Sequence, residues 1–191
     1  MPASLTAIGN AALARLGQGG VLSLDDEDDR ARWIRSRIED VRDLVLRTGR
    51  WHFAMSRARL AAEAAAPAFG FARQFPLPAD WLQLVEVAGL PAAPGGAFAL
   101  EGGRILTDAA APLAIRYVRK MADVTAWDPL FAEAVVCRLA MDLAEKLTQS
   151  RSRAEAAARD YQLALREAFR VNAIEAPPEL TPDGDWLTVR S

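Results

Sequence analysis

Six prolines spread through the middle third constrain this chain more than any other feature. Pro67, Pro76, Pro78, Pro91, Pro94 and Pro112 recur at intervals too short for a long helix. Each lacks a backbone donor and its ring clashes with the preceding turn. The chain is therefore expected to divide into a helical part, an extended part and a second helical part. Its 191 residues suit one large domain or one domain with an elaboration.

The extended part carries its own signals. Leu82-Gln83-Leu84-Val85-Glu86-Val87 alternates as a strand does. Ala97–Glu101 and Arg104–Thr107 flank Gly102-Gly103, and two glycines between apolar runs predict a hairpin with a tight primed turn. Leu113, Ile115 and Tyr117 alternate with Ala114, Arg116 and Val118 in a further strand. Trp51, Phe53 and Met55 alternate with His52 and Ala54 at the start of this region. Four strands or so, within about 52–120, predict one small antiparallel sheet.

The flanking parts follow the 3.6-residue period. Ser4 caps a helix over 4–16 that Gly17 ends. Ala31, Ile34, Ile38, Val41 and Val45 line a helix over 28–48, with Gly49 after it. Asp128-Pro129 opens a helix over 129–149, because proline at the first helical position loses no bond. Leu143 lies on its wide apolar arc, which marks a central helix. Ser152-Arg153-Ala154-Glu155 reads as a capping box starting a helix over 152–171, although one continuous helix over 129–170 is the alternative. The expected fold is mainly α with a small antiparallel β element, an α+β fold. The helices at 28–48, 129–149 and 152–171 are expected to form a bundle core, with the sheet as an appendage. Residues 1–171 make one domain.

The segment 172–191 differs in character. Pro177, Pro178 and Pro182 forbid regular helix there, and Asp183-Gly184-Asp185 marks a turn. Trp186, Leu187 and Val189 are nevertheless apolar. An extended arm that docks on another subunit accounts for them, with Trp186 as an anchor that offers a large apolar surface and one donor. Folding back on its own core is the alternative.

Residue counts exclude much enzyme chemistry. Cys137 and His52 are the only cysteine and histidine, so no intramolecular disulfide, multi-cysteine zinc site or two-histidine metal motif is possible. Serine or cysteine nucleophiles would both need His52. It stands between Trp51 and Phe53 and reads as a partly buried filler at a corner. Cys137 lies on the apolar face of its helix and reads as a small core residue. No nucleophile elbow, dinucleotide fingerprint or phosphate-binding loop occurs. No catalytic residue, cofactor or metal ligand is therefore expected. Glu86, Glu101, Asp108 and Asp123 lie in or near the sheet and are the carboxylates a glycan hydrolase would draw on, but their spacing selects no pair.

Charge is balanced overall and segregated locally. The net charge is −2, which gives no basic excess for general nucleic-acid binding. Asp25-Asp26-Glu27-Asp28-Asp29 precedes the second helix, where acids complement the helix dipole. A calcium loop fails, because Arg30 stands where glycine is needed and Ser36 where glutamate is needed. Nine arginines follow between 30 and 59. No apolar run is long enough to span a membrane, and the N-terminus shows no signal-peptide pattern.

The order of segments carries a resemblance. After the first helix come Leu22-Ser23-Leu24-Asp25-Asp26, Arg42-Asp43-Leu44-Val45-Leu46-Arg47, Trp51-His52-Phe53-Ala54 and Phe75-Pro76-Leu77-Pro78-Ala79-Asp80. Leu100-Glu101-Gly102-Gly103-Arg104-Ile105-Leu106-Thr107-Asp108 and Asp128-Pro129-Leu130-Phe131 follow. Arg138-Leu139-Ala140, Leu147-Thr148 and Tyr161–Ala168 close the series. In order and spacing the chain resembles the tail tubular protein A family, the head-to-tail adaptors of short-tailed phages and related prophages, over about 4–190.

The resemblance implies a structural virion protein of the tail or neck, made in the host cytoplasm. Its subunits would form a ring, expected to be dodecameric, between the portal protein and the tail nozzle protein. DNA would pass through the lumen without sequence-specific binding, and no membrane would be a partner. On that reading the arginines of 30–59 are expected to pair with acids of the same or adjacent subunits rather than line the lumen. A tail-associated polysaccharide-degrading enzyme is the alternative, and a DNA-binding protein is a third.

Overall fold

The computed structural model describes residues 4–87, 90 and 97–175. They form α1 (Leu5–Arg15), α2 (Asp29–Arg47), β1 (Met55–Leu60), β2 (Arg73–Pro76), β3 (Trp81–Val87), β4 (Phe98–Glu101), β5 (Arg104–Thr107), β6 (Leu113–Arg119), α3 (Pro129–Thr148) and α4 (Arg151–Ile174). Helices thus flank a β element, as the proline distribution predicts, and the fold is α+β.

Local caps fix the helix limits. The Ser4 hydroxyl accepts the Ala7 N–H at 3.1 Å, and Gly17 at φ +69° ends the first helix. The Asp28 carboxylate accepts the Arg30 N–H at 2.7 Å to start α2. Asp128 accepts from Leu130 and Phe131 ahead of α3. At the α3–α4 junction the expected break is present, since Gln149 takes the left-handed conformation at φ 48° and rules out the alternative of one continuous helix; the cap is corrected. Ser150, not Ser152, caps α4 by accepting the Arg153 N–H. So short a connection makes α3 and α4 antiparallel neighbours.

The last helix also runs to Ile174, past the expected limit at 171. Asn172 is thereby helical rather than part of an arm. Its amide donates to the Arg50 carbonyl at 3.0 Å and accepts the His52 N–H at 3.2 Å. His52 itself is exposed, which corrects its reading as a partly buried filler. The aromatic corner is built without it. Trp51 packs against Phe131 and Phe169 at centroid distances of 5.1 and 5.2 Å, and Trp127 meets Phe131 at 5.1 Å.

The core is larger than three helices. Ile8, Ala12 and Leu13 of α1 are fully buried with Ile34, Ile38 and Val41 of α2 and Leu139 and Leu143 of α3. Leu143 is buried as its stripe predicts.

The β element is two three-stranded antiparallel sheets rather than one. The first has the order β1-β6-β3 and the second β2-β5-β4. The predicted hairpin is β4–β5, and Gly102 and Gly103 turn it at φ 54° and 74°, values that suit glycine. Nor is the β element an appendage. Val118 and Leu82 of the first sheet join the helical core. Its opposite face, through Leu60, Val87, Leu113, Ile115 and Tyr117, closes on Phe75 and Ile105 of the second sheet as a separate core.

Candidate interaction surface

Side chains alternate across a strand, so Met55, Arg57 and Arg59 share one face of β1. Met55 pairs with Val118, Arg57 with Arg116 and Arg59 with Ala114 across the β1–β6 ladder. Arg116 in turn pairs with Glu86 of β3. At the Met55 end this face packs on the helical core. Beyond that end it opens as a groove of about 470 Å³ lined by Arg57, Arg59, Glu86, Ala114 and Arg116. Arg57 and Arg59 are exposed.

The electrostatics of this groove are unbalanced. Three arginines share it with one carboxylate among the described residues that line it. Glu86 Oε2 lies 3.3 Å from Arg116 Nε, yet that buried nitrogen makes no aligned hydrogen bond within the described residues. Like charges directly opposite on neighbouring strands, as at Arg57 and Arg116, are unfavourable.

The opposite imbalance sits between α1 and α2. Asp28 forms an ion pair with Arg30 at 2.7 Å, and this hydrogen bonding holds its carboxyl down at about 2. Asp29 meets Arg32 at 3.1 Å. Asp26 accepts the Ser23 N–H at 3.0 Å. Asp25 has only a 3.7 Å contact with Arg35, and its side chain is 92% exposed. Glu27 is also exposed. Beside them Leu22 is 97% exposed.

Elsewhere on α2 Arg37 and Arg42 make ion pairs, whereas Arg47 makes none among the described residues. Arg37 reaches Asp142 of α3 at 2.9 Å. Arg42, buried, binds Asp43, whose other oxygen lies 3.4 Å from Lys120, just after β6. The C-terminal end of α2 is thereby tied to the first sheet.

The residues singled out from sequence do not converge. Trp186, Leu187 and Val189 lie outside the described residues. Glu86 neighbours Arg116 in the first sheet. Glu101 is exposed at the hairpin of the second sheet. Asp108 accepts the Ala72 N–H at 2.8 Å. Asp123 accepts from both the N–H and the hydroxyl of Thr125, which lower its pKa. Cys137 is buried, and desolvation pushes its thiol up to about 11. It borders a cavity of about 330 Å³ that also touches Arg15, Arg153, Ala157 and Asp160. Among the described residues, no three His, Cys, Asp or Glu side chains form a group able to hold a metal ion, and no helix is long and apolar enough to cross a membrane.

Arg57, Arg59 and Arg116 were not distinguishable from ordinary surface arginines by composition. The one available signal is the Arg-x-Arg spacing, which puts two cations on one face if the segment is a strand. Their meeting with Arg116 depends on the pairing of β1 with β6, which no local pattern specifies. No protein-family model matches the chain, and no curated protein matches its sequence.

Proposed function

We propose that this chain is a structural subunit of a ring, a head-to-tail adaptor of the kind its segment order resembles. The observation that carries the reading is the separation of two unlike exposed features. An acidic loop with fully exposed Leu22 lies at one end of α2, and an open arginine face lies on the sheet joined to its other end. Rings are built from such heterologous contacts, one patch meeting a different patch until rotation closes the circle. Phe69, 87% exposed in the connection between β1 and β2, offers a further apolar contact.

In this reading the ring, dodecameric to match a portal, sits in the virion neck between portal and nozzle proteins and lets DNA pass. The subunit is made in the host cytoplasm, and its work is assembly rather than catalysis. Trp186, Leu187 and Val189 anchor an arm on a neighbouring subunit or the portal. The test is the mass of the purified chain alone and with the portal of its own phage. A closed ring of one stoichiometry, formed alone or on the portal, is the expected result. A chain that remains monomeric in both conditions rejects the reading.

A further inference from the structure

We propose that the arginine face of the β1-β6-β3 sheet receives the acidic α1–α2 loop of a second copy of this chain. The inference rests on the ring reading and names the contact that builds the ring.

The face calls for an anion. Arg57 and Arg116 oppose each other directly, and Glu86 alone among the described lining residues offsets three guanidinium groups. A carboxylate placed between them would relieve that repulsion and accept paired N–H bonds from the planar guanidinium forks. The α1–α2 loop offers suitable groups. Asp28, Asp29 and Asp26 are already engaged, whereas Glu27 projects exposed and Asp25, 92% exposed, has only its 3.7 Å contact with Arg35. Leu22 beside them can cover the Ala114 methyl on the groove floor, which removes apolar surface from water on both sides.

The loop of the same chain does not line the groove. It is held at the N-terminal end of α2, where Asn10 donates to the Val21 carbonyl at 2.9 Å and accepts the Val21 N–H at 2.8 Å. The sheet is tied to the C-terminal end of α2 through Asp43 and Lys120. Along α2, Asp29 and Asp43 are separated by about 21 Å. The donor of the acids is therefore another subunit, and the contact is head-to-tail.

Charge reversal tests this with the full chain. One variant carries Arg57→Glu and Arg59→Glu; the other carries Asp25→Arg and Glu27→Arg. All four side chains are exposed, and unchanged melting temperatures would verify the folds. In low salt the unaltered chain should associate by sedimentation velocity, and added salt should weaken it. Each variant alone should associate at least about tenfold more weakly, because its groove and loop then share a sign. An equimolar mixture should regain association, since each groove then meets a complementary loop.

The contact is overturned by an unaltered chain that is monomeric in low salt, by a variant that alone associates as well as the unaltered chain, or by a mixture that does not recover. A labelled DNA duplex that binds the unaltered chain and not the Arg57→Glu, Arg59→Glu variant, with self-association equal in both, assigns the face to nucleic acid and also overturns it. Variants that still form complete rings reject this contact and leave the ring reading standing. Swap-rescued association that never closes into a ring, alone or on the portal, keeps the contact and rejects the ring.

Discussion

Gly49 shows how much a single position can carry beyond its local role. By sequence it simply terminates α2. In the fold, a Cβ built there would overlap Cε1 of Phe169, whose ring packs on Trp51. Gly49→Ala is therefore expected to cost about 1–3 kcal/mol through overpacking. Urea denaturation measures it, and adding Phe169→Leu should return part of the loss. An unchanged midpoint would show that the Phe169 ring has room to move. Asp28 gives a residue-level prediction in pH. Hydrogen bonds from Arg30 hold its carboxyl at about 2, below the ordinary 3.8. A carboxyl lowered on folding stabilises the native state above its unfolded pKa, and the contribution disappears as pH falls through its folded value. Asp28→Asn keeps a capping oxygen but removes the charge. The acid-side fall in melting temperature between pH 4 and 2 should then be shallower in the variant. Parallel curves for the two proteins would contradict the assignment.

At the scale of elements, the helices were legible and the sheets only in part. Helix limits follow from neighbouring residues: Ser4 and Gly17, Asp28, Asp128-Pro129. The turn between β4 and β5 was equally local, because Gly102-Gly103 fits few other conformations. By contrast, β2 has four residues and one fully buried side chain, Phe75, which is too little alternation to mark a strand. The polar strand β1, Met55-Ser56-Arg57-Ala58-Arg59-Leu60, draws its identity from pairing with β6, more than fifty residues away. The arginine face was illegible for the same reason: register, not composition, brings Arg57 to Arg116. The break between α3 and α4 was legible from the serines around 150–152, although Ser150 rather than Ser152 caps α4 and the left-handed residue is Gln149 rather than a glycine. That position yields a prediction. A non-glycine residue in the left-handed region carries a penalty of about 1 kcal/mol. Gln149→Gly should raise stability by up to about that amount, whereas Gln149→Val should lower it, both read from denaturation midpoints. A glycine variant less stable than the parent would mean that the Gln149 side chain makes contacts outweighing its strain.

At the scale of the whole molecule, the two cores share a wall. The first sheet gives Val118 and Leu82 to the helices and Ile115, Leu113 and Tyr117 to the second sheet. Neither core can lose that sheet without exposing apolar surface of the other. Asp43 with Lys120, and Asn172 with Arg50 and His52, add polar ties at the junctions around this arrangement. Unfolding should therefore be one cooperative transition, despite the appearance of a helical part and a β part. Two truncations, one in each core, test this. Ile34 lies in the helical core and Ile105 in the β core, and both are fully buried. Each change to Ala should cost about 2–5 kcal/mol. If the cores are coupled, Ile105→Ala must lower the melting of the helical circular-dichroism signal as well as the tertiary aromatic signal, and calorimetry must show a single peak. The van't Hoff enthalpy should equal the calorimetric one in the parent and in both variants. If Ile105→Ala instead produces an early shoulder while the helical signal melts at its original temperature, the β element unfolds alone. The shared sheet would then be a contact surface between two independent units rather than the wall that makes them one.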